Sequence, residues 1–106
     1  MTHTQKRKIV VNDVQYEWCI RGQAIYAEHL VIYQPNTNGI SIHLDIIPWG
    51  LEIRPRIVAE VIEFSLEKGW NPASKGQPLR IGFVNDEYVV LPKNCKNSME
   101  YEEMLQ

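Results

Sequence analysis

Three residues have the types and spacing to do chemistry: His29, His43 and Asp45. Residues two apart on a strand share a face, so His43 and Asp45 point the same way. The cluster Pro35-Asn36-Thr37-Asn38-Gly39 separates two apolar runs and marks a hairpin loop. Pairing Gln34 with Ile40 across that loop sets His29 opposite Asp45. Two imidazoles and a carboxylate on one rigid face can bind a divalent transition metal. A carboxylate beside an imidazole can also orient it as a general base. The plainer reading is a wet sheet face, on which a cross-strand His–Asp pair adds roughly a few tenths of a kcal/mol. No established metal-site spacing supports the trio, so the plainer reading carries more weight.

The next candidates are aromatic and apolar. Trp49 and Trp70 bracket the one strong helical pattern, and Phe64 and Leu66 widen its apolar arc. All four are candidate interface residues, because exposed tryptophan and large apolar groups anchor protein contacts. The alternative for each Trp is to pin a helix end to the sheet. Lys6, Arg7 and Lys8, with Arg21, Arg54 and Arg56, could form a basic patch for nucleic acid, which would also need interleaved exposed aromatics; in a chain acidic overall, a solvated terminus is the plainer reading. The loop from Trp70 to Pro78 follows a helix instead of preceding one, so it is no phosphate cradle. GxxxxGK[ST], GxSxG and HExxH are all absent. No serine or cysteine is expected to have a base beside it in sequence. Cys19 and Cys95 stand apart from any CxxC and read as reduced thiols.

These residues need elements to position them. The stretch Arg54–Pro72, RPRIVAEVIEFSLEKGWNP, is the clearest helix. Pro55 suits the first helical position. Ile57, Val58, Val61, Ile62, Phe64 and Leu66 recur at helical spacing over an arc of about 200°. Gly69 sits where a left-handed cap is wanted, and Pro72 stops the chain. So wide an arc predicts burial on more than one side, against a sheet and a further element or second copy. Before it, Lys8–Val11 and Val14–Ile20 flank a two-residue Asn12-Asp13 loop, with Val11 facing Val14 and Ile9 facing Tyr16. Tyr26–Tyr33 and Ile40–Ile47 make a second hairpin, with Leu30, Ile32, Ile40, Ile42, Leu44 and Ile46 on its apolar face. Leu79–Phe83 and Tyr88–Leu91 make a third around Asn85-Asp86. Ser98 is placed to N-cap a short helix holding Met99, Tyr101, Met104 and Leu105. The expected fold is α+β: a two-layer sandwich, an antiparallel sheet of hairpins on one main helix, in the order ββββα then ββ. Residues 1–106 are expected to form one domain, with 1–6 and 94–106 flexible or peripheral, the tail either disordered or docked on the body or on a partner.

The pattern Val11, Val14, Tyr16, Trp18, followed by I-R-P-x-x-V-x-x-V-I-x-x-x-L-x-x-G-W-x-P and G-x-P-L-R-I, resembles small bacterial proteins of uncharacterised function. The resemblance spans roughly Ile9 to Ile81, and the GW-x-P element is its most specific part. It implies a small bacterial single-domain protein and brings no activity, cofactor or catalytic residue with it.

Across its 106 residues the chain is 44% hydrophobic and 23% charged, with net charge −2, the balance of an ordinary globular domain without a global pull toward nucleic acid. No run of about 18 apolar residues predicts a membrane span. The opening MTHTQKRKIVV lacks the apolar core of a signal peptide, so the expected location is the cytoplasm. The expected function is a non-enzymatic protein–protein interaction module, without a cofactor, binding another protein or itself as a homodimer, of the immunity or accessory type. The alternative is a small-ligand or metal-binding domain using the His29/His43/Asp45 face, with or without catalysis.

Overall fold

A computed structural model describes residues 6–21, 29–37, 39–45 and 53–105. The strands are β1 (Arg7–Val11), β2 (Val14–Arg21), β3 (His29–Tyr33), β4 (Ile42–Asp45), β5 (Leu79–Val84) and β6 (Glu87–Val90); the helices are α1 (Pro55–Glu67) and α2 (Ser98–Met104). They run in the expected order, ββββα then ββ, and the class is α+β. The strands form one open six-stranded sheet in sequence order. Its pairings are antiparallel except one: β4 and β5 are parallel. Parallel neighbours need a crossover longer than a hairpin loop, and α1 lies within that crossover. The hairpin patterns alone did not disclose this join.

Local chemistry explains the hairpins. Asn12, Asp13, Asn85 and Asp86 all adopt positive φ between 53° and 66°. Left-handed geometry at both central residues is what a two-residue I′ loop requires, and Asn and Asp tolerate it better than most residues. The registers follow. Val11 pairs with Val14 and Ile9 with Tyr16. Phe83 pairs with Tyr88.

α1 begins at Pro55 and ends in a left-handed glycine cap. Gly69 has φ 92°, its N–H donates to Leu66 O, and the Trp70 N–H donates to Ser65 O. These two bonds close the last turn as a Schellman motif. The helix buries Val58, Val61, Ile62 and Ser65, a stripe at i, i+3, i+4 and i+7. That stripe joins Tyr16, Trp18, Leu30, Ile32, Ile42, Leu44 and Ile81 in one core. Burying each large aliphatic side chain contributes about 1.5–3 kcal/mol. The wide arc is therefore used unevenly. Ile57, Ala59, Phe64 and Leu66 flank the stripe and are only half-buried. Among the described residues the exposed large hydrophobics are Val10, Val90, Met99, Met104 and Leu105, none of them on α1. The expected burial of α1 on several sides is replaced by one buried stripe with half-covered flanks.

α2 lies on the other face of the sheet. Alternation puts Arg80, Gly82 and Val84 opposite Leu79, Ile81 and Phe83. There the Ser98 hydroxyl accepts from Phe83 N–H at 3.0 Å, and the Arg80 guanidinium donates to the carbonyls of Pro92 and Cys95. A Cβ on Gly82 would stand 2.7 Å from Ser98 Oγ and 2.8 Å from Leu91 Cδ2, so any side chain there would force this segment to shift. The N-cap expected at Ser98 is at Asn97, whose Oδ1 accepts from Glu100 N–H at 2.9 Å. Ser98 is inside the helix and wholly buried, as is Cys95 nearly so. Cys95 and Ser98 thus tie the chain from 94 onward to the body.

Ser65 Oγ is buried without a hydrogen-bond partner among the described residues. Ser65→Ala removes that uncompensated hydroxyl, and urea unfolding should show it stabilised by about 1 kcal/mol. Trp70 Nε1 donates to Ile40 O at 2.9 Å, and its ring lies 5.7 Å from that of Tyr16. Trp70→Phe keeps an aromatic ring but orphans that carbonyl, and should cost about 1–3 kcal/mol in the same measurement.

Candidate functional site

The sheet face away from α1 carries the polar residues singled out by their spacing. β3 and β4 supply its floor. His29 pairs with Asp45 and Val31 with His43, as the loop register implies. β2 continues the face through Glu17, Cys19 and Arg21, opposite Tyr33, Val31 and His29.

Here lies an open hollow of about 440 Å³ lined by Lys6, Arg21, Val31, Tyr33, Gln34, Thr37, Gly39, Ser41 and His43. Its rim is held by the chain that follows α1. Thr37 Oγ1 donates to Gln34 O and lies 3.2 Å from Pro72 O, and Ile40 N–H donates to Ser74 O. A Cβ on Gly39 would collide with the Pro72 carbonyl. Trp70, bonded to Ile40, completes this brace. The GW-x-P element therefore acts as a strut for the hollow.

Electrostatics mark the hollow further. The rings of His29 and His43 stack with centroids 5.1 Å apart. His43 is pushed from its ordinary value of 6.5 down to about 4, chiefly by burial, and further by the nearby charges of His29 and Arg21. It is a neutral imidazole at neutral pH. Tyr33 donates to Glu17 Oε1 at 2.9 Å, and Lys6 Nζ lies 5.7 Å from the Tyr33 ring centroid. Burial, followed by this bond to Glu17, raises the Tyr33 phenol above its ordinary value. Glu17 itself does not line the hollow. Two cations, hydroxyls and amides face the space, with no carboxylate among the described lining residues.

The trio His29, His43 and Asp45 shares a face but not a task. Asp45 Oδ2 accepts the Ser98 N–H at 2.8 Å, satisfying an orphan donor at the N-terminus of α2. Among the described residues no group of three His, Cys, Asp or Glu side chains is arranged to hold a metal ion. The metal expectation therefore gains no support from the donor geometry. Sequence reasoning missed Ser41, whose Oγ lies 3.2 Å from His43 Nε2. The S-x-H spacing on a strand was the signal, since it places both side chains on one face. A hydroxyl beside an imidazole is the arrangement of a nucleophile and base. At a pKa of about 4, however, His43 is a weak proton acceptor, each unit being worth about 1.4 kcal/mol. The pair is better suited to hydrogen-bonding a ligand than to activating serine.

Of the interface candidates, Trp70 is buried in the core. Phe64 is half-buried, its ring 5.9 Å from Tyr88 and under Lys68 Nζ at 5.4 Å. Leu66 is half-buried beside the core. Trp49 lies outside the described residues, as do Tyr26, Ile46 and Ile47. No helix among the described residues is long and apolar enough to cross a membrane. Compared with protein-family models, curated proteins and solved structures, the chain matches none.

His43 gives the site a pH signature. Its folded pKa lies below the unfolded one, so unfolding takes up a proton between pH 6.5 and about 4. Its contribution to stability is complete above pH 6.5 and is lost as pH falls through that window. His43→Gln should therefore show a smaller drop in urea midpoint between pH 7 and pH 5 than the wild type. Equal drops would show that His43 titrates normally.

Proposed function

We propose that this protein is a small-ligand-binding domain whose ligand is a small anion held on the sheet face between Lys6, Arg21, Ser41 and His43. The observation that carries this reading is the sign of the hollow: cationic side chains and neutral donors line it, with no carboxylate among its described lining. A neutral His43 beside the Ser41 hydroxyl adds directional hydrogen bonding without requiring catalysis. The reading is of direct ligand contact with these side chains. Two buried free thiols, Cys19 and Cys95, support a reducing, cytoplasmic setting.

Inorganic phosphate is a suitable probe. A ligand at ten times its Kd stabilises the folded state by about 1.4 kcal/mol. Thermal unfolding should therefore shift upward with phosphate and not with chloride at equal ionic strength. Lys6 and Arg21 are exposed, so the double variant Lys6→Ala/Arg21→Ala should fold and lose the shift. A shift retained in that variant, or absent in the wild type, rules out the anion reading.

A second reading, a module that binds protein, is favoured by one specific feature. It is not the arc of α1, which has no strongly exposed large hydrophobic. It is the outer edge of β6, where Val90 is 38% exposed beside a hollow of about 310 Å³ lined by Phe64, Lys68, Tyr88, Val89, Val90 and Tyr101.

A further inference from the structure

The two edges of the sheet are built differently. β1 and its approach carry Lys6, Arg7 and Lys8, all exposed. Charged residues of this kind, lysine above all, keep an edge strand from recruiting another strand. β6, Glu87-Tyr88-Val89-Val90, has no lysine, arginine or proline, and its one charge is at its start. Among the described residues nothing pairs with its outer side.

The direction of its backbone groups can be fixed. Leu91 N–H donates inward to Arg80 O at 2.9 Å. Peptide groups alternate along a strand, so Val89 also points toward β5, pairing there with Gly82. Tyr88 and Val90 then direct their N–H and C=O groups to the open edge. Backbone groups so placed form a template for another strand.

We propose that two copies of this chain pair antiparallel through β6, about a two-fold axis at Val89, to make one continuous sheet. This rests on the interaction reading and names its partner. That axis sets Tyr88 opposite Val90 of the second copy, and the reverse. These are the outward-facing residues, so each pair exchanges both main-chain hydrogen bonds. It also makes aromatic–β-branched side-chain pairs, which favour antiparallel sheets. Glu87 falls opposite Leu91 of the other copy, so like charges do not meet. An arbitrary foreign strand would not share this self-complementarity. The closed two-fold arrangement also covers the less protected edge and leaves the charged β1 edges outermost.

Sedimentation velocity on the full chain over a concentration series tests the pairing. The wild type should reach twice the chain mass. Val90→Pro deletes only an outward N–H, as edge strands tolerate, so it should remain folded by circular dichroism and be monomeric throughout. Val90→Lys should also fold, because the Val90 side chain is already partly in water, and be monomeric, because an edge lysine opposes strand pairing. In the wild type, exchange of the Tyr88 and Val90 amides should slow as concentration rises. A wild type monomeric at every concentration, with those amides exchanging freely, refutes the second copy but leaves the edge open to another protein. Amides already protected in a monomer would mean that the chain itself covers the edge, and would refute both the dimer and the interaction reading at β6. A dimer that persists in folded Val90→Pro would place the contact elsewhere and overturn the proposal. Lys6→Ala/Arg21→Ala should leave the dimer intact, which separates this result from the anion test.

Discussion

The structure depends on the seating of one helical stripe, Val58, Val61, Ile62 and Ser65, on the aliphatic middle of the sheet. Leu30, Ile32, Ile42, Leu44 and Ile81 are all fully buried under it. α1 lies within the crossover that returns the chain from β4 to a parallel β5, so the same contact that forms the core joins the third hairpin to the first two.

Covering one face in this way determines what the other face can do. The far end is closed by the segment from Leu91 to α2, which packs closely on Gly82 and is tied down where Asp45 accepts the Ser98 N–H. The middle is left open, floored by β3 and β4 and rimmed by Lys6 and Arg21. The brace from Trp70 to Ile40, with the Pro72 carbonyl packed on Gly39, ties the rim of this hollow to the end of α1. A change in the core would therefore be felt at the candidate site through covalent neighbours and two short loops. α1 covers one face of the sheet, and α2 closes only one end of the other.

Much of the fold was legible because its signals are local. Asn12-Asp13 and Asn85-Asp86 announce their loops by the left-handed geometry those residues tolerate. The loop between β3 and β4 set the His29–Asp45 register, since side chains alternate strictly on a strand. Pro55 and Gly69 bracket α1 for equally local reasons. The candidate site was legible only in part. His43 and Asp45 were seen on one face, but Asp45 serves a helix 53 residues away, which no spacing rule encodes. Ser41 shares that face by alternation, but its approach to His43 Nε2 at 3.2 Å depends on side-chain placement that spacing does not encode.

The sequence by itself determined the elements, their order and the registers within hairpins, because turn chemistry and side-chain periodicity act over a few residues. It also determined that α1 has more apolar arc than one contact consumes. Only the tertiary structure decided that β4 and β5 run parallel, that Trp70 is a core strut and that α2 docks on the face opposite α1. It likewise decided that one sheet edge is charged while the other presents the peptide groups of Tyr88 and Val90. Each of these depends on which distant segments meet, and that follows from burying area and satisfying backbone donors throughout the chain at once.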